Sequence, residues 1–300
     1  MNKKKLGRPM RSVFALLALL LLAGCATPSA KEQPDVVATF YPLAWATERL
    51  VGQNLTVGTL VPDDIEPHDW EPVAQDVARL AEAKLVVTQG AGFEPWLDGV
   101  LANLGNRAPR VVDTTAEVPL AESEDEDEEL PYDPHTWLDP ALLAQQAKAI
   151  ERALLEAFPN EADTIRANGV RLAEELDALA QEYADGLAEC EVRVIIANHD
   201  AYGYLARRYD FDVIAISGLS PEAEPAPSAV ARAVDVARAH NITIIFFEEL
   251  VSPRVAQVVA SEVGAQTRVL SPIESGPETG DYLTLMRENL VGLREAMRCT

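Results

Sequence analysis

Four histidines stand in 300 residues, and three of them occupy settings in which an imidazole could hold a metal. Two share an echoing context, Pro67-His68-Asp69-Trp70 and Pro134-His135-Thr136-Trp137, each with an acid immediately before the proline. The third lies in Ala197-Asn198-His199-Asp200, directly after the apolar run Val192–Ala197. Imidazoles on fixed loops, with carboxylates nearby to orient the second ring nitrogen, are what a transition-metal site requires. A lone histidine is more often structural than a ligand, but the repeated motif favours His68, His135 and His199 as a set. Asp200, beside His199, is the expected carboxylate partner of that ring. His240 closes a predicted helix, where a histidine favours the helix dipole, and is assigned no ligand role.

Such residues need a scaffold that brings them to one place. In the first half, Asp35–Thr39, Leu55–Leu60, Lys84–Thr88 and Arg110–Asp113 read as strands, with helices near 43–52, 72–81 and 94–104. In the second, Val192–Ala197, Asp212–Ile216, Ile242–Phe247 and Thr267–Leu270 read as strands, with helices near 201–209, 226–240, 253–263 and 281–298. This alternation predicts an α/β fold of two small parallel-sheet lobes, 35–159 and 189–300. Ligands of open parallel sheets bind beyond the C-terminal strand ends, which is where His199 falls and where a short loop after Leu60 delivers His68. Between the lobes, Ile165, Leu172, Leu176, Leu179, Tyr183 and Leu187 recur mostly at spacings of three and four. Residues 160–188 are therefore predicted to form one amphipathic helix, with Asn160 as N-cap, acting as a stiff strut of about 40 Å.

The N-terminus reads as an address. Five bases before residue 12 precede the apolar run 13–23, the layout of a secretory signal peptide, and the run is too short to span a bilayer. It ends in Leu22-Ala23-Gly24-Cys25, which resembles the bacterial lipoprotein cleavage box. Residues 1–24 would then be removed, Cys25 acylated, and 25–34 left as a tether, giving an exported protein held to a bacterial membrane by lipid alone. In that oxidising setting Cys190 and Cys299 are an even pair expected to form a disulfide, two separate buried thiols being the alternative.

The formal net charge is −23, and with the five leader bases gone it is −28. So acidic a surface excludes phosphate-backbone binding, hence nucleic acid, and suits cations. Seven of the eight residues at 122–129 are acids, predicted to form a disordered surface loop (121–130 in all) with at most a weak cation-collecting role.

Together EPHDWEP (66–72), GAGFEPWLD (90–98), DPHTWLDP (133–140), NHDAYGYLARRY (198–209), SPEAEP (220–225) and FFEELVSP (246–253) resemble the metal-binding solute-binding proteins of bacterial zinc and manganese ABC importers. The resemblance covers essentially the whole chain after the leader. It implies two lobes joined by a rigid helix, with a metal in the cleft between them on His68, His135 and His199. A fourth position, frequently Asp in that family, falls on Ser271, so water, an acid of 122–129 or a nearby carboxylate such as Glu274 is left to fill it. The implied cargo is Zn2+, with Mn2+ the alternative, and the implied partners are an ABC permease and its ATPase subunit, served by a monomer.

A secreted zinc hydrolase is the reading of a different class, since three histidines and an open position resemble a catalytic centre. Against it, the chain has no His-Glu-x-x-His and no Gly-x-Ser-x-Gly. It also lacks a phosphate-binding Gly-x-x-x-x-Gly-Lys-Ser/Thr loop, so any ATP-driven step falls to a partner. An adhesin role is a third reading open to a surface lipoprotein. Three imidazole ligands also predict that affinity falls below about pH 6 as protons compete for them.

Overall fold

The β-branched runs form strands and the amphipathic stretches between them form helices. A computed structural model describes residue 1 and residues 33–123, 130–221 and 224–300. The leader with Cys25, the acidic run at 124–129 and residues 222–223 of the SPEAEP motif lie outside the described residues.

In the first lobe β1 (Val36–Ala38), β2 (Val57–Thr59), β3 (Leu85–Thr88) and β4 (Arg110–Asp113) form one parallel sheet in the order β2-β1-β3-β4. Val37 is in register with Gly58 on one side and Val86 on the other. The central strands β1 and β3 are buried along their whole length, as continuous apolar strands covered on both faces must be. The covering helices include α1 (Tyr41–Val51), α2 (Ala74–Glu82), α3 (Leu97–Leu104) and α4 (Pro140–Ala157).

The second lobe is two parallel pairs rather than one continuous ladder. Strand β5 (Val194–Ala197) pairs with β6 (Asp212–Ala215), and β7 (Ile244–Phe247) pairs with β8 (Gln266–Val269). Strands β5 and β7 lie side by side, so their C-terminal ends open at the same place. Helices α6 (Gly203–Tyr209), α7 (Pro227–His240), α8 (Arg254–Val263) and α9 (Tyr282–Ala296) complete this half, with His240 the last residue of α7.

The strut is α5, Ala162–Gly186, 25 residues long and therefore about 37 Å. Its buried stripe holds Ile165, Leu172, Leu176, Leu179 and Tyr183, together with Asn168. Asn168 Nδ2 donates to the Leu50 carbonyl in α1 (2.8 Å), and the Tyr183 hydroxyl donates to the Met286 carbonyl in α9 (2.6 Å). The same helix is thus bonded into both lobes, and one apolar cluster runs from Val36 and Leu85 through Ile165 to Phe246 and Leu293. The expected N-cap is corrected. Pro159–Glu161 form a 3-10 turn that feeds straight into α5, placing Glu161 at the cap position with no side-chain capping bond, so Asn160 is inside the turn. Beyond α9, Cys190 and Cys299 are joined sulfur to sulfur, fastening the C-terminus to the segment that follows α5. No helix among the described residues is long and apolar enough to cross a membrane.

Candidate metal centre

His68 sits in the one-turn 3-10 segment Pro67–Asp69, and the Glu66 carboxylate caps that turn by accepting from the His68 amide (3.3 Å). The imidazole lies edge-on to Phe93, with centroids 4.7 Å apart. Phe93 is held there by a loop that folds around the half-buried Glu94 carboxylate, which accepts from the amides of Gln89 (2.8 Å) and Gly90 (3.1 Å) and from the Thr39 hydroxyl (2.6 Å). Gly90 has φ +83°, and a Cβ there would collide with the Asp113 carboxylate.

His135 is fully buried, and Asp133 fixes it twice, accepting from its amide and from ring Nδ1, both at 2.9 Å. His199 stands two residues past the end of β5, and its Nδ1 is 2.9 Å from Oε2 of Glu248, the residue just after β7. The other Glu248 oxygen accepts from Asn198 (2.5 Å), so the pair straddles the adjoining ends of β5 and β7. With Nδ1 donating to a carboxylate, the Nε2 of each ring carries a lone pair.

Those Nε2 atoms face one another. His135 Nε2 lies 3.2 Å from His68 Nε2 and 3.1 Å from His199 Nε2. Glu274, from the loop after β8, completes the group, with Oε1 3.7 Å from His68 Nε2. The four donor atoms all lie within 4.8 Å of one another, and the buried Glu274 carboxylate has the Glu66 carboxyl as a hydrogen-bonding neighbour. Glu274 is aimed by an unusual backbone, since the preceding Ile273 is fully buried at φ +57°, a conformation a β-branched residue rarely adopts. The loop is pinned around it: Trp137 Nε1 donates to the Pro272 carbonyl (2.7 Å), and Asn289 bonds both backbone polar groups of Ser271.

Burial dominates the electrostatics. It pushes His68 and His135 well below the ordinary imidazole value, and the neighbouring rings add to the shift. Burial would lower His199 too, but the Glu248 carboxylate outweighs it and the net shift is upward. Glu274 is raised well above the usual carboxylate range, by burial first and then by the negative charges of Glu66 and Glu248. Glu66 and Asp133, both desolvated, are pushed up to about 7. Facing ring nitrogens and a carboxylate are desolvated together here, and a cation between them compensates that cost.

The three histidines singled out in the sequence thus converge, and Glu274 joins them. Ser271 does not. Its hydroxyl accepts from the Ile273 amide (3.2 Å), and it stands outside the four-residue group. Of the alternatives left open for the fourth position, the structure brings Glu274 to the group. Asp200 is also corrected as the partner of His199, because Glu248 takes the ring nitrogen and the Asp200 amide donates to the Gly218 carbonyl (3.0 Å). Glu248 lay unassigned within FFEELVSP; its one sequence signal is an acid at the C-terminal end of an apolar strand.

Residues 36–296 match the family described as zinc-uptake complex component A, periplasmic (ZnuA). The chain belongs to the ZnuA family. ZnuA proteins are the substrate-binding components of zinc uptake and not enzymes. Among relatives, the chain is 33% identical to the high-affinity zinc uptake system protein ZnuA of Bacillus subtilis, over 95% of this chain and 97% of that one. It is 30% identical to the zinc-binding lipoprotein AdcA of Streptococcus pneumoniae, spanning 94% of this chain but only 59% of AdcA. The crystal structure of Zn(II)-bound AdcA superposes with a TM-score of 0.77 at 30% identity, covering 88% of this chain and 58% of AdcA. The ZnuA-like α/β architecture with parallel-sheet lobes, expected from the strand and helix alternation, is the one observed.

Proposed function

We propose that this protein captures Zn2+ outside the cytoplasm on Nε2 of His68, His135 and His199 and a Glu274 oxygen, and hands it to an ABC permease powered by a separate ATPase subunit. The observation that carries the reading is the largely buried convergence of three imidazoles and one carboxylate, whose donor atoms all lie within 4.8 Å of one another. Four ligands about 2.0–2.1 Å from a metal at tetrahedral angles stand about 3.3–3.4 Å apart. The Nε2 separations of 3.2 and 3.1 Å and the His68 to Glu274 distance of 3.7 Å are near that spacing. Three imidazoles and one carboxylate at such short range suit a small ion of low coordination number over manganese. With Glu274 as fourth ligand no position remains open for a reacting water, which is the arrangement of a carrier and not of a zinc hydrolase.

Titration of residues 26–300, freed of metal, against zinc tests this. One tightly held ion per chain is expected, with binding lost in His135→Ala. Binding at wild-type strength in His68→Ala and His135→Ala alike overturns the ligand set. For placement, the reading is a processed lipoprotein acting as a monomer, acylated at Cys25, in keeping with relatives described as lipoproteins. Cys25→Ala should release the protein from membranes, and a variant that stays membrane-bound through a high-salt wash refutes the anchor.

A further inference from the structure

His135 is flanked by Pro134 and Thr136, and both are gripped by a closed ring of buried amide and hydroxyl groups. Gln89, just past the end of β3, donates from Nε2 to the Pro134 carbonyl (2.5 Å) and to the Thr136 hydroxyl (2.8 Å). The Thr136 hydroxyl donates onward to Oε1 of Gln146 in α4 (3.1 Å). Gln146 Nε2 returns to Gln89 Oε1 (2.8 Å) and spends its second hydrogen on the Thr114 hydroxyl (2.8 Å). Thr114, next to the end of β4, donates to the Thr88 carbonyl (3.0 Å).

Each amide hydrogen of Gln89 and Gln146 and the Thr136 hydroxyl hydrogen has its own acceptor, and the Thr114 hydroxyl is shared between the Thr88 and Gln89 carbonyls, which fixes both amide orientations and the sense of each hydroxyl. Gln89, Thr136 and Gln146 are fully buried, so no water can stand in for a lost member. A glutamine pair in an otherwise apolar core is costly unless fully satisfied, and a fully satisfied network specifies one geometry. None of these side chains belongs to the four-donor group. What they hold is the backbone on either side of the ring that stands between His68 and His199.

We propose that Gln89, Thr136 and Gln146 are positioning residues that hold His135 in its metal-binding pose before the ion arrives. The inference rests on His135 being a ligand. A ring that locks the apo site removes the ordering cost from binding, and groups that orient metal ligands typically change affinity by about 10–100-fold when removed. Because these groups act through the backbone, the low end of that range applies.

Two shape-conserving substitutions open the ring: Thr136→Val removes the hydroxyl and Gln146→Met removes the amide. Thr136→Ser keeps the hydroxyl. Zinc affinity is read by competition with a chromophoric chelator, and the visible spectrum of the cobalt(II) form reports ligand geometry independently of fold stability. The expected result is about a tenfold loss of zinc affinity with an altered cobalt spectrum in Thr136→Val and Gln146→Met, and recovery of both in Thr136→Ser. Wild-type affinity and spectrum in Thr136→Val overturn the proposal, and so does a Thr136→Ser protein as impaired as Thr136→Val. If Gln146→Met does not fold, the valine and serine pair decides alone. Unimpaired zinc binding in His135→Ala would refute the ligand reading itself, a separate failure from that of the ring.

Discussion

Glu248 Oε2 and His199 Nδ1 stand 2.9 Å apart with both side chains essentially removed from solvent, although 49 residues separate them. The carboxylate fixes the tautomer that leaves Nε2 free for a metal and makes that nitrogen more basic. Glu248→Ala is therefore expected to cut zinc affinity by about 10–100-fold. Asp200→Ala, which leaves this bond in place, should cost far less. Chelator competition on the two variants checks the order, and equal losses would show that Glu248 does not orient the ring.

The fourth donor separates Glu274 from Ser271. Glu274→Ala, which takes away the proposed fourth ligand, should weaken zinc binding by at least about tenfold, and manganese binding by a larger factor, because the carboxylate is the group manganese uses best. Ser271→Asp should leave the zinc to manganese ratio unchanged, since that side chain faces the Ile273 amide. A ratio shifted toward manganese by Ser271→Asp would place residue 271 at the metal after all.

Protons leave when zinc enters. Glu248 beside His199 shifts that ring upward, and burial holds Glu274 well above the usual carboxylate range, so these two groups keep their protons to higher pH than free side chains would, and coordination must expel any they hold. His68 and His135 are depressed and already neutral, so they release nothing near neutrality. Affinity should accordingly rise with pH while His199 and Glu274 still hold protons, and fall as pH drops below their raised values. The fall then comes from those two groups and not from three imidazoles titrating together. Calorimetry in buffers of different ionisation enthalpy should show protons released on zinc binding, and more of them at lower pH. Zero release would contradict both shifts.

The Cys190–Cys299 bond closes a long loop, with a sequence separation of 109. In the chain-entropy account its loss costs up to about 4–5 kcal/mol. The double variant Cys190→Ala/Cys299→Ala should unfold at distinctly lower denaturant, yet hold zinc with near wild-type affinity at temperatures where it stays folded, because neither sulfur is in the four-donor group. Unchanged unfolding would show that the bridge adds no stability.

Residue type and local pattern were enough to single out His68, His135 and His199, the strand and helix alternation, and the stripe on α5. These are short-range properties: periodicity reports which face of an element is buried, and a histidine after a buried strand reports a strand end. Glu248 and the Gln89, Thr136 and Gln146 ring were invisible, and the choice of Glu274 over Ser271 was left open, for a shared reason. Glu248 reaches His199 only because β5 and β7 lie side by side, and strand adjacency is a long-range contact with no local sequence cost. Glu274 displaces Ser271 because the backbone at Ile273 turns at φ +57°, a conformation that the pinning of Ser271 by Asn289 and of Pro272 by Trp137 imposes on a residue that would otherwise avoid it. The sequence thus determined which side chains could bind a metal, and tertiary packing decided which of the nearby oxygens completes the set.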